Sequence, residues 1–196
     1  TSTQQLGNGF VTVYPCGTVP DASNLNFQAG VSVPNAVIAP VSADGKVCFY
    51  ASAETHLLAD VAGWIEEGQS FTSLTPARVF DTRPEKGQGV VSVSKVRVGP
   101  SRTLSVKVTG KGGVPSSGVA AVALNVTSTQ QLGNGFVTVY PCGTVPDASN
   151  LNFQAGVSVP NAVIAPVSAD GKVCFYASAD THLLADVAGW FASIPT

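Results

Sequence analysis

The chain reads as an all-β protein, a β-sandwich built from short antiparallel strands, with a closed barrel as the alternative. Three observations predict this. Short runs of β-branched and aromatic residues recur, separated by turn residues every ~8–12 positions. No window carries a 3.6-residue apolar period with caps at its ends. One stretch also occurs twice: residues 127–190 repeat residues 1–64 at an offset of 126, and only Glu54 against Asp180 differs.

Residues 1–64 are the first copy of a half-repeat B (B1), residues 65–126 a single half-repeat A, and residues 127–196 carry the second copy (B2). The order B–A–B is one whole A–B repeat preceded by the second half of another, so it reads as a window on a longer tandem array. A 126-residue period is near the commonest domain size, whereas a 64-residue half has a thin core of its own. A with one B is therefore expected to form a complete domain. The other B would then expose unpaired edges and dock onto a neighbouring molecule. A head-to-tail contact of that kind does not close, so it builds a filament. If each half folds alone, the chain is a string of three small modules.

In each B, a Gly-Asn-Gly turn leads into Phe10-Val11-Thr12-Val13-Tyr14, a strand that Pro15 stops. Turn chemistry over Asp21 to Asn24 precedes a short strand, Leu25 to Phe27, and Val31 to Val33 is another run. Asn35 to Ser42 is extended and apolar, with Pro40 marking an edge or bulge. Asp44-Gly45 supplies the positive φ of a tight hairpin turn, and Lys46 to Ala51 returns from it. The last strand is His56 to Ala62, ending at Gly63-Trp64. In A, Leu74 to Pro84 is a strand between prolines, and Val91 to Val98 alternates with a one-residue slip that suggests a bulge. Thr103 to Thr109 alternates with Leu104, Val106 and Val108 inward. After a glycine-rich loop, Ala120 to Val126 forms a further strand.

Composition narrows the function. Hydrophobic residues are 44% and charged residues 11% of the chain, so it has ample apolar surface to bury and is not disordered. Ten scattered basic residues and a net charge of −2 offer no cationic stripe, which argues against nucleic acid. No apolar run reaches the ~18 residues of a spanning helix. Cys16 and Cys48, and Cys142 and Cys174, are each 32 apart with no CxxC and no nearby His, so one disulfide per B is expected and a metal site is not. Disulfides, no Met and few Lys point to an oxidising, extracellular or cell-surface setting.

No set of residues names a reaction. His56 and Asp60, like His182 and Asp186, would share a face of an extended strand at ~13 Å, too far for a dyad. No nucleophile is placed by motif, no cofactor is implied, and the chain is not read as an enzyme. Arg78, Asp81 and Arg83 concentrate charge in a charge-poor chain. They suit either a glycan or anion contact or an ion pair fixing the start of the repeat. Asp60 and Asp186 are expected to accept hydrogen bonds or to pair with an Arg inside the array. Trp64 and Trp190, with Tyr14 and Tyr140, are candidates for stacking on sugar rings or for core packing. Asn125-Val126-Thr127 matches the glycosylation sequon within a predicted strand.

Several runs form an ordered set: Leu74 to Arg83 (LTPARVFDTR), Gly113-Val114-Pro115, Ala121 to Thr127 (AVALNVT) and Val137 to Gly143 (VTVYPCG). Ser149 to Phe153 (SNLNF) and Asp186 to Phe191 (DVAGWF) complete it. This set resembles a repeat found in tandem in large secreted and surface proteins of actinobacteria, and the resemblance covers nearly the whole chain. It implies an exported, wall-associated array and carries no catalytic residues to transfer. The near-identity of the two B copies departs from such repeats. The function expected is structural: a surface stalk, or a filament built from copies of the chain or adjacent repeats. The alternative is a module that binds cell-wall glycan and mediates adhesion.

Overall fold

The computed structural model describes residues 1–193 except 34, 60, 62–63, 66–69 and 101. Thirteen strands and no helix occur among them. B1 supplies β1 (Ser2–Thr3), β2 (Gly9–Pro15), β3 (Leu25–Phe27), β4 (Val47–Ala51) and β5 (His56–Leu57). A supplies β6 (Phe71–Asp81) and β7 (Leu104–Lys107), and β8 (Val119–Thr129) runs from A into B2. B2 continues with β9 (Gly135–Pro141), β10 (Leu151–Phe153), β11 (Val159–Pro166), β12 (Lys172–Ala177) and β13 (His182–Ala192).

The last eight strands make two four-stranded antiparallel sheets, in the orders β11-β8-β13-β6 and β10-β9-β12-β7. Strands of A and B2 are thus interleaved in both sheets, which are not closed into a barrel. Alternation sends one face of each sheet inward. Val122, Leu124 and Val126 of β8 and Leu183, Ala185 and Val187 of β13 meet Val137, Val139, Val173 and Phe175 from the other sheet. Phe80 of β6 closes edge-on against Phe175 of β12, with ring centroids 4.9 Å apart. Val106 and Val108 point into this core and Lys107 away from it, as the alternation of that run predicts.

Both expected disulfides are present, Cys16–Cys48 and Cys142–Cys174. Each ties the end of the long central strand of a B to its return strand, on which Cys174 pairs with Tyr140 in the ladder and Cys48 with Tyr14. The Asp-Gly turn forms in both copies, with Gly45 and Gly171 at φ of 78° and 77°. It does not make the expected hairpin: in B2 it carries the chain from β11 in one sheet to β12 in the other, and in B1 no described strand leads directly into it. At Gly189 a Cβ would lie 2.7 Å from the Thr72 carbonyl oxygen and collide with the Phe71 ring. Glycine there lets the Phe71 ring lie across β13 at a register shift.

Three expected strands differ from the structure. Val91 to Val98 forms no strand. Instead, the amides of Val90 and Val91 donate to the carbonyls of Arg78 and Val79, 2.9 Å each, so this loop covers the free edge of β6. Val31 to Val33 contributes only a single bridge, Ser2 to Val33. Asn35 to Ser42 is not a strand in B1, yet the same sequence in B2 is β11, because β8 lies beside it over Val159 to Pro166. The last strand of B1 is described as strand only at His56–Leu57; Asp60 and Ala62 lie outside the described residues.

The two B copies form an internal control, because one sequence sits in two environments. Some features are shared. A three-stranded sheet β3-β2-β4 matches β10-β9-β12. The buried Gln5 and Gln131 amides donate alike, to Ser2 Oγ and Val31 carbonyl in one copy and to Ser128 Oγ and Val157 carbonyl in the other. Other features depend on A. Leu57 is 40% exposed where Leu183 is 0%, Val61 is 90% where Val187 is 1%, and Phe49 is 47% where Phe175 is 0%. Beside B1 no described strand of A lies in the places that β6, β7 and the first half of β8 fill beside B2.

This difference sets a prediction. Phe175→Ala removes one ring of the Phe80 pair and should cost about 3–5 kcal/mol in urea unfolding. The same substitution at Phe49 should cost under about 1 kcal/mol, because that ring is half in water. Equal costs would contradict the two environments.

Candidate functional site

The charged residues singled out in A gather on the outer face of the β11-β8-β13-β6 sheet, away from the core. The ladder places Arg78 beside Asp186, Asp186 beside Asn125, and Asn125 beside Ala162, one residue per strand across all four strands. Alternation explains the row: Ala185 and Val187 face inward, so Asp186 faces out, as Asn125 does between Leu124 and Val126.

Arg78 bridges two buried carboxylates. Its Nε donates to Asp186 Oδ1 at 2.5 Å and its Nη1 to Asp81 Oδ2 at 3.1 Å. Arg83 forks onto the same Asp81, Nε to Oδ1 at 3.0 Å and Nη2 to Oδ2 at 2.5 Å, and its own amide donates to Oδ1. The expected Asp81–Arg83 pairing is therefore made, and the expected Arg partner of Asp186 is Arg78. Lys95 pins the loop after β6 by donating to the carbonyls of Asp81, Lys86 and Gly87 at 2.8–3.0 Å.

The two carboxylates respond differently to this setting. Burial pushes Asp81 up, but the Arg83 hydrogen bonds and the charges of Arg83 and Arg78 outweigh it and hold Asp81 below its ordinary range. Asp186 is held above its ordinary range, because burial outweighs the charge and hydrogen bond of Arg78 and the Ser23 amide. A buried charge is tolerated only while it is paired, so this pair is costly to break from one side.

B1 covers the row. The Ser23 amide donates to Asp186 Oδ2 at 3.1 Å, and Asn125 Nδ2 donates to the Ser23 carbonyl. Asn35 Nδ2 donates to Asn125 Oδ1 at 3.0 Å, while Asn35 Oδ1 accepts from the Ala162 amide on the edge strand β11 at 3.3 Å. Asn26 Nδ2 donates to Thr127 Oγ1 at 3.3 Å. Asn125 is consequently buried, with its amide committed to B1, so its sequon is inaccessible in this structure. Sequence reasoning missed Ser23, Asn26, Asn35 and Asn125 as joint residues. Ser23 sits in a run that turn chemistry already explained, and nothing local marks the three asparagines as joint residues.

Beside the joint lies a cleft of about 390 Å³, lined by Phe10 and Asn26 from B1 and by Arg78, Asp81, Arg83 and Gln88 from A. Its two guanidinium groups are matched by two carboxylates. Trp64 is outside it and 83% exposed, and Trp190 packs half-buried against the main core. Tyr14 and Tyr140 are buried. The histidines do not form dyads. Thr82 Oγ1 accepts from the Leu183 N–H and lies in hydrogen-bond contact with His182 Nδ1 at 3.1 Å, and burial with the Arg97 charge holds His182 below its ordinary value. His56 is exposed on β5. Among the described residues no group of three His, Cys, Asp or Glu could hold a metal ion, and no helix is long and apolar enough to cross a membrane.

Comparison with family models, curated proteins and solved structures gave no match to this chain.

Arg78→Ala strands Asp186 without its counter-charge and should cost about 3–5 kcal/mol at neutral pH. Because Asp186 is already held high by burial, the cost should shrink as pH falls through its raised value and the carboxyl becomes neutral. Urea midpoints of wild type and variant at pH 7 and pH 4 check this. A pH-independent difference would contradict it.

Proposed function

We propose that this chain is part of a structural array in which each A–B unit is a rigid block and successive blocks stack head to tail, extending an extracellular stalk. The observation that carries the reading is the pairing of one sequence with two fates. B2, threaded with A, buries Leu183, Val187 and Phe175, while B1 presents the same three side chains, Leu57, Val61 and Phe49, to water. Two disulfides support an oxidising setting, and the resemblance to tandem surface repeats supports the array.

Stoichiometry favours a stalk over a filament made by exchanging A between molecules. The chain holds one A and two B halves. An A that leaves B2 for another molecule's B1 opens one half as it closes another, so exchange brings no net gain in pairing. A second A placed ahead of B1 does bring a gain.

The cleft favours a second reading, a glycan-binding module, because Arg78, Arg83, Asn26 and Gln88 line it. Against it, both arginines are committed to carboxylates and the one aromatic lining residue is Phe10. Titration with cell-wall oligosaccharides, followed by shifts of the Arg83 and Gln88 resonances, separates the readings.

The test of the structural reading is a chain extended by a second copy of residues 65–126 ahead of Thr1. That segment should fold onto B1 as it does onto B2, so binding of an apolar-surface dye should fall and the urea midpoint of B1 should rise. Dye binding as high as in the parent chain would refute the block model.

A further inference from the structure

The surface by which B1 sits on the A–B2 block is duplicated in B2, where its Ala148, Ser149 and Asn152 stand exposed. Ala22 and Ser23 are buried at the joint, while their identical counterparts Ala148 and Ser149 are exposed. Asn26 reaches Thr127, while Asn152 is exposed. Asn35 and Asn161 both tie back to the preceding turn, donating to the carbonyls of Asn24 and Asn150. Only Asn35 goes on to bridge Asn125 and Ala162.

The receiving surface has a different composition. Arg78 and Asn125 come from A, and Asp186 and Ala162 come from B2, so the row exists only where A and B are joined. Each block therefore carries one receiving row and one outgoing patch, made of different residues that adjoin at β11, where Asn161 of the patch precedes Ala162 of the row. In this chain the row is filled by B1 and the patch of B2 is free.

The geometry points to Ala148, Ser149, Asn152 and Asn161 as an outgoing docking patch whose partner is the Arg78–Asp186–Asn125 row of a second copy of this chain, with that copy's own B1 displaced. The bonds transfer one for one: the Ser149 amide to Asp186, Asn161 to Asn125 and Ala162, and Asn152 to Thr127. A patch that meets a different surface of its neighbour is a heterologous contact, which repeats without closing. The wild-type chain does not use it between molecules, because its tethered B1 competes at an effective concentration of order millimolar.

This inference rests on the block reading above, which the extended chain tests separately: dye binding reports whether A completes B1, and molecular mass reports the joint. Ala22→Arg places a bulky cation against Arg78 and releases B1 from the row, leaving the patch on B2 intact. Light scattering across a concentration series should show wild type constant at 19.9 kDa, and Ala22→Arg rising with concentration past the mass of a dimer. Adding Ala148→Arg, at an exposed position, should return it to monomer. Asn35→Ala in place of Ala22→Arg serves if the first variant folds poorly, with Asn161→Ala as its partner change. An Ala22→Arg chain that stays monomeric at all concentrations overturns the proposal. So does growth that persists unchanged with Ala148→Arg present, because the open apolar edge of B1 would then be its cause.

Discussion

A B half has too few strands to cover the apolar side chains it carries, and the rest of the architecture follows from that shortage. Its central strand, return strand and disulfide can form a small sheet locally. Its last strand and the run after Val33 have nowhere to pair until A supplies β6, β7 and the long first half of β8. In B2 these arrive from the preceding segment, and β13 gains a neighbour on each side. The gain is chiefly hydrophobic: Leu183, Val187 and Phe175 leave water together with Phe80 and Val126 from A. In B1 the same strand pairs only with Ser2–Thr3 and goes no further as described strand.

Once A and B are joined, a second property emerges on the opposite face of the sheet. The cross-strand row of Arg78, Asp186, Asn125 and Ala162 brings a buried ion pair and an amide beside free edge groups of β11. A charged pair of this kind is weak evidence for stability, but it is exacting about what may lie on top of it. The turn at Ser23 meets that demand with a backbone donor for Asp186 and a backbone acceptor for Asn125. Block and joint are therefore coupled in order: the joint cannot form before the block, because its parts come from both segments.

The legible parts of this fold were the local ones. Leu25 to Phe27, the strand from Phe10 and the tight Asp-Gly turn are set by β-branched runs and turn residues, and the cysteine spacing pointed to the two crosslinks. The Arg83 fork on Asp81 was expected from two residues sharing a strand face; it forms instead just past the end of β6, where the Arg83 amide also bonds the Asp81 carboxylate. What could not be read were features decided by a distant partner. Asn35 to Ser42 and Asn161 to Ser168 have one sequence, yet only the second copy forms β11, because only there does β8 lie alongside. Val91 to Val98 has strand-like alternation, but its chain covers an edge rather than extending a ladder. Asn125 looked like a modification site and is a joint residue, because Ser23 and Asn35 lie about a hundred residues away in sequence.

The central claim is that identical residues in B1 and B2 differ in protection because only one copy is completed by A. Amide hydrogen exchange by NMR, resolved at Val61 and Val187, tests it most directly. Val187, hydrogen-bonded within a central strand, should exchange at least ~100-fold more slowly than Val61, since protection tracks local opening. Comparable exchange at the two amides would contradict it, because B1 would then be completed by something other than A.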